Sequence, residues 1–217
     1  MAKKTANHLW TIVLVASIVL ILTSALITWR AQGDLLSWVI RELALLGYIC
    51  VFVSIVSTSY KRQVKEYFGQ PFLAVHHVPS VAGLVFLTLH PLGVAWDYMD
   101  ARVFVPVFWP LSDLLAYGGR VAWYILIIGA LVAVWRKSVG KNWKVVHAFN
   151  YLAFAFGTVH ANRLGANFAD WPVRTVSIAM LLVVLALFVR QQLEARQRRA
   201  RRLAKAGGAK PRVGSRQ

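Results

Sequence analysis

The sequence predicts an all-α integral membrane protein, a six-transmembrane-helix bundle with both termini in the cytoplasm. Three features predict it: apolar segments of membrane-crossing length, basic residues that collect on alternate connections, and histidines set inside the apolar segments. A bilayer-spanning helix needs about 20 largely apolar residues, and Leu9 to Trp29 supplies twenty-one without a charge. A mean hydropathy of +0.56 with 58% apolar residues agrees with that class.

The elements follow in order. The first segment stands behind Lys3 and Lys4 as a signal peptide would, but its apolar core exceeds the roughly 7–15 residues of such peptides, so it reads as a retained helix. Five further spans are drawn as Leu35 to Tyr60, Phe72 to Trp96, Tyr117 to Trp135, Trp143 to Ala161 and Val173 to Arg190. Residues 1–8 form a short basic cytoplasmic N-terminus, residues 9–190 the membrane domain, and residues 191–217 a basic tail expected to be largely disordered beyond about two helical turns.

Charge orients these spans. Lys3, Lys4, Lys61, Arg62, Lys65, Arg136, Lys137, Lys141, Lys144 and the tail fall on one side; Arg30, Asp34, Asp97, Asp100, Arg102, Asp113, Arg163, Asp170 and Arg174 fall on the other. Cytoplasmic connections carry the excess of Lys and Arg, which puts both termini inside and implies the cytoplasmic (inner) membrane of a prokaryote. The net charge of +17 is not a nucleic-acid signature, because ten of the 25 basic residues follow the last apolar segment, between Arg190 and Arg216. Such a cluster is a stop signal that also suits anionic lipid headgroups. The single cysteine, Cys50, excludes an internal disulfide and any cysteine-ligated zinc or iron–sulfur site.

Between the third and fourth spans, DYMDARVFVPVFWPLSDLLAYGG is the longest outer connection, and its Phe108 and Trp109 suit headgroup depth. In the second span, Arg41 and Glu42 stand about two turns from the outer end, as a local pair or interfacial anchor, or with Arg41 meeting a cofactor carboxylate.

Two segments carry the chemistry. VHHVPSVAGLVFLTLHP holds His76, His77 and His90, and WKVVHAFNYLAFAFGTVHANR holds His147 and His160. The third and fifth spans run parallel in this topology, so His76 and His147 lie near the cytoplasmic face and His90 and His160 near the outer one. Fourteen positions along a helix return to within about 40° of the starting face and rise about 21 Å, so His76 shares a face with His90, whereas His77 is about 140° away and reads as a bystander. His147 and His160 are thirteen apart and meet the same angular objection, which a tighter or looser turn near Gly157 and Thr158, or a different approach of the helix to each cofactor, would ease. Pro79 and Pro91 kink the third helix beside the ligand positions, and Gly83 leaves room for a flat ring or a neighbouring helix.

Two imidazoles at each depth suit a bis-histidine haem b that transfers electrons. Zinc prefers three or four clustered ligands, and a di-iron site needs inward glutamates that these spans lack. On these residues (His76, Gly83 and His90, the Gly118 to Val134 span, and Trp143, His147, Tyr151 and His160), the stretch from Leu35 to Arg190 resembles the ferric reductase-like transmembrane domain. That family includes the NADPH oxidases and the haem subunit of the bacterial periplasmic methionine-sulfoxide reductase system. The resemblance implies two haem b groups, held by His76 with His147 and by His90 with His160; His77 stands where the family often has a basic residue. Arg163, one turn past His160, is a candidate for an outer haem propionate. No flavin or nicotinamide domain follows Arg190, so the expectation is an electron-transfer component and not a reductase complete in one chain. Its partners would be a separate donor (a flavoprotein or quinol), a separate acceptor and other membrane subunits. Flavin and quinone leave no signature of their own. The rival expectation is a non-catalytic anchor subunit of a larger complex, with haem absent or structural.

Overall fold

The computed structural model describes residues 34–207, and every regular element among them is helical. The expected first span, Leu9 to Trp29, lies outside the described residues, as do residues 1–8 and the last ten of the tail.

Helix α1, Leu35–Ser59, opens on Asp34, whose side chain accepts the Ser37 amide at 3.0 Å and satisfies one of the free donors of the first turn. Tyr60 leads into α2, Lys61–Phe68, a short polar helix closed by Gly69 at φ 66°. Glycine adopts that left-handed conformation without steric cost. Helix α3, Phe72–Asp97, is entered through Pro71 and continues through Pro79 and Pro91. The outer connection contains a 3₁₀ turn at Ala101–Phe104, α4 at Leu111–Ala116 and a cis peptide between Trp109 and Pro110. The Arg102 side chain bonds Asp100 and holds its carboxyl below the ordinary carboxylate range. Helix α5 covers Gly118–Val134, α6 the four residues Arg136–Val139, α7 Trp143–Ala148 and α8 Asn150–Leu164. Helix α9 runs unbroken from Trp171 to Gly207.

Helices α1, α3 and α9 are each long and apolar enough to cross a membrane. Helix α5 and the helical run Arg136–Leu164 supply a fourth span if these two pieces, bent by 85°, count as one. Among the described residues the lengths therefore give three spans, or up to four, where five separate ones were expected. The shortfall has two causes. Helix α5 has only 17 residues, the lower bound for a membrane helix, and the expected fifth span is divided at Phe149, with His147, Asn150, His160 and Asn162 diluting its apolar character.

Disorder was expected beyond about two helical turns past Arg190; the helix instead persists for seventeen residues, to Gly207. Ala, Leu, Arg, Gln, Glu and Lys are strong helix formers, and no proline interrupts them. Glu194 further bridges Arg190 at 2.9 Å and Arg198 at 3.1 Å, one turn before and one turn after it.

Two antiparallel hairpins and α9 build the bundle. In the first, α1 lies along α3 with Ile40 beside His90 and Ser57 beside His76. A Cβ on Gly83 would stand 3.0 Å from Cys50 Cβ and 3.3 Å from the Gly47 carbonyl oxygen. Of the two roles open to Gly83, the structure thus selects the close approach of a neighbouring helix, as small residues permit in membranes. In the second hairpin α5 lies along α8. Tyr48 of α1 then joins the layers: its ring stacks on Phe154 at 4.7 Å, and its hydroxyl meets Thr158 Oγ1 at 3.0 Å and the Ser177 carbonyl at 3.3 Å. Around it Leu45, Phe52, Val56, Val173, Met180 and Val184 form the buried core.

Gly83→Val is expected to force α1 and α3 apart and cost about 1–3 kcal/mol, the range for overpacking a tight contact. Denaturant titration in detergent measures it, and a wild-type midpoint would show that the contact has slack.

Candidate metal centre

The histidine geometry follows from the hairpins. His90, on α3, meets the Ile40 carbonyl of α1 through Nδ1 at 3.0 Å. His147, on α7, meets the Gly129 carbonyl of α5 through Nδ1 at 3.0 Å, and His160, on α8, meets the Ala116 carbonyl at the end of α4 at 2.6 Å. A carbonyl oxygen only accepts, so each of these rings carries its proton on Nδ1 and keeps its Nε2 lone pair for something else. This is the orientation that carbonyl acceptors impose on metal-binding histidines. His76 differs: its Nδ1 lies 3.3 Å from Ser57 Oγ and its Nε2 3.4 Å from Ser80 Oγ.

The rings meet across the hairpins. His76 and His147 have ring centres 6.5 Å apart, with planes inclined by 73°. Two imidazoles on opposite sides of one metal ion, with bonds of about 2 Å, place their ring centres about 6 Å apart. His90 and His160 lie within electrostatic reach of each other, one level away. With His76 facing His147 and His90 near His160, α3 runs parallel to the α7–α8 segment, and the two levels are separated by about 21 Å of helix rise. Among the described residues no three His, Cys, Asp or Glu side chains gather as a metal site, so the histidines meet as pairs. The donor set, one imidazole from each side, fits haem b and does not fit zinc.

The angular objection to His147 and His160 has a structural answer, though not near Gly157 and Thr158. At Phe149 the amide bonds back three residues, to the Val146 carbonyl at 3.1 Å, and separates α7 from α8. A 3₁₀ step turns about 120° per residue against 100° for an α-helix, so one such turn removes about 60° of the roughly 140° mismatch. The two rings then engage opposite ends of the α4–α5 region, at Ala116 and Gly129.

The remaining candidates fall as follows. His77 is exposed, whereas His76 is half-buried, as the periodicity required. Arg41 follows Ile40 and so stands at the His90 level, with its Nε–H donated to the Ser37 carbonyl of its own helix at 3.0 Å. Arg163 is exposed at the C-terminal end of α8.

Several neighbours were not anticipated. Arg120 lies within electrostatic reach of His160, with its guanidinium 4.7 Å from the Tyr117 ring centre and Nη1 donating to the Val105 carbonyl. Phe72 stacks on His76 at 5.3 Å and lies under Lys61 Nζ at 5.1 Å; Trp143 sits 5.9 Å from His147 and under Lys144 Nζ at 5.9 Å. Each inner histidine thus carries an aromatic ring one helical turn before it, and each ring carries a lysine. That four-residue spacing was readable in the sequence. The carbonyl partners were not, since main-chain acceptors have no residue signature.

Asn150 packs against Gly129, its Nδ2 lies 3.5 Å from His147 Nδ1, and its Oδ1 is buried without a hydrogen bond. Gly119 supports the outer pair similarly, since a Cβ there would stand 2.5 Å from His160 Cδ2. No protein-family model, curated protein or solved structure matches the chain.

Gly119→Val is expected to push the His160 ring off the Ala116 carbonyl while sparing the inner pair. Purified variant should hold about half the haem per chain of its parent in a pyridine haemochromogen assay. Unchanged loading would separate His160 from cofactor binding.

Proposed function

We propose that this protein is a membrane di-haem b cytochrome, a relative of the ferric reductase-like transmembrane domain, that passes electrons across the bilayer between separate redox partners. The observation that carries the reading is the pair of histidine levels, in which three of four rings have their Nδ1 protons committed to carbonyls and their Nε2 lone pairs left over. His76 with His147 would hold the inner group, and His90 with His160 the outer one. A haem b with both axial positions filled accepts and releases one electron without binding oxygen tightly.

The chain's own residues supply position and environment. Fixed Nδ1–H bonds orient the ligands and raise their basicity. Phe72 and Trp143 flank the inner pair and shield it from the polar end of the bundle. Arg120, Arg41 and Arg163 are cations at the outer end, and they are the candidates for carboxylate groups of the outer cofactor.

The topology belongs to the same proposal: six spans, the first formed by residues 9–29, and both termini in the cytoplasm of a prokaryotic cell. What supports it is the meeting of basic residues at the His76 and His147 end. Lys61 lies over Phe72, Lys144 over Trp143, and Arg190 within 6.0 Å of Tyr60. Gln191 also donates to Ser59 Oγ at 2.9 Å, so the basic end of α9 and the α1–α2 junction share one level. Positive residues at that level support reading it as the cytoplasmic side, where an electron donor, flavoprotein or quinol, would be received. The acceptor would stand outside.

Purified protein is expected to give the reduced-minus-oxidised spectrum of low-spin haem b with two haems per chain. His90→Ala should lose the outer haem, and His77→Ala should keep both. One haem per chain in the wild type would overturn the paired arrangement, and loss of haem in His77→Ala would move the inner ligand by one residue.

A further inference from the structure

Between Gly118 and Leu164 the second hairpin contains no aspartate or glutamate. Its turn nevertheless carries Arg136, Lys137, Lys141 and Lys144 within nine residues, and all four are exposed. Among the described residues none of the four makes an ion pair. The first hairpin differs at its own turn, where Glu66 bridges Arg62 at 2.8 Å. The second turn is therefore a place where positive charge gathers without a counter-charge from its own hairpin.

The helical run that follows gives this charge a neighbour. Side chains three and four residues apart share a side of a helix, so Lys141 and Lys144 stand together, and Val145, Phe149 and Leu152 continue from them at the same steps. Val145 is 65% exposed, Phe149 51% and Leu152 45%, which leaves that stripe uncovered by protein. The other side of the run is engaged: His147 meets the Gly129 carbonyl at 3.0 Å, and Tyr151 packs on Phe188 at 5.1 Å. Two cations thus head an apolar stripe that rises about 16 Å from Lys141 to Leu152. Lys144 Nζ is further drawn to the Trp143 ring, 5.9 Å from its centre, at the junction of charge and stripe.

We propose that this side of the second hairpin binds an anionic phospholipid, with the headgroup phosphate between Lys141 and Lys144 and an acyl chain along Val145, Phe149 and Leu152. A lysine ammonium offers three donors and a compact charge, which suits a phosphate oxygen, and basic surfaces at the ends of membrane helices take anionic headgroups. A free phosphate would use the lysines and leave the apolar stripe bare. An acidic soluble protein would likewise match the charge alone. Only a lipid calls on both halves of the surface. Such a site needs no cofactor and is independent of the two-haem reading.

The test is lipid binding by the full-length protein, delipidated in detergent and counted by native mass spectrometry. Phosphatidylglycerol is expected to bind at least tenfold tighter than phosphatidylcholine with the same acyl chains. In the Lys141→Gln, Lys144→Gln double variant that preference should fall at least fivefold, whereas Lys61→Gln, Lys65→Gln, at the first hairpin's turn, should keep it. Glycerol phosphate at the concentration of the lipid should displace none of it.

Equal binding of the two lipids by the parent protein would return the lysines to an acidic protein or to water and overturn the proposal. An unchanged preference in the Lys141, Lys144 variant, or an equal loss in the Lys61, Lys65 variant, would do the same, the second by showing attraction to the whole basic end. Displacement by glycerol phosphate would make the site one for free anions. The readout is mass, so it stands whether or not the protein carries haem.

Discussion

The arrangement depends on one interaction, the hydrogen bond from an imidazole Nδ1–H to a main-chain carbonyl of the neighbouring helix. A neutral histidine inside an apolar bundle has two nitrogens to satisfy, and leaving one unpaired costs on the order of 1–3 kcal/mol. A carbonyl partner settles the proton on one nitrogen and turns the other outward from the hairpin. It also fixes how close the helices must come. Gly129, whose carbonyl accepts from His147, leaves no side chain between α5 and the α7–α8 segment. Gly83 does the same between α1 and α3, the hairpin that lends the Ile40 carbonyl to His90. The hairpins come first, and the histidine pairs are what their facing surfaces leave over.

The two levels are not equivalent. At the inner one the rings are bordered by aromatic side chains under lysines, and one histidine is solvated by serines. The outer level has carbonyl partners for both rings and Arg120 as its neighbouring cation. Tyr48, Thr158, Asn162 and Ser177 form a buried polar cluster between α1, α8 and α9, and this fastens the layers without competing for the rings.

Much of this was legible in the residue pattern. Helix periodicity separated His76 from His77, and the structure leaves the first half-buried and the second exposed. Leu35 and Phe72 begin their helices where the apolar segments were expected to begin. The break at Phe149 had no such sign, because neither glycine nor proline stands there. Arg120 was overlooked beside Arg163 because distance along α8 is a poor guide to distance from His160 when α4 and α5 fold over the same ring. The persistence of α9 was visible in helix propensity but was outweighed by the density of like charge, which Glu194 partly offsets.

The unbroken α9 changes what its arginines can reach. From Arg190 to Arg201 the helix rises about 16 Å, roughly twice the screening length of about 8 Å at physiological ionic strength. Had the chain collapsed into a coil at Arg190, each guanidinium would lie against the headgroups. Held on a continuous rod, Arg198, Arg199 and Arg201 stand apart from Arg190 as a charge column with its own reach. Among the described residues, the arginines of α9 from Arg190 onward thus divide into one beside Tyr60 and a group farther along, and the length of a single helix sets the boundary.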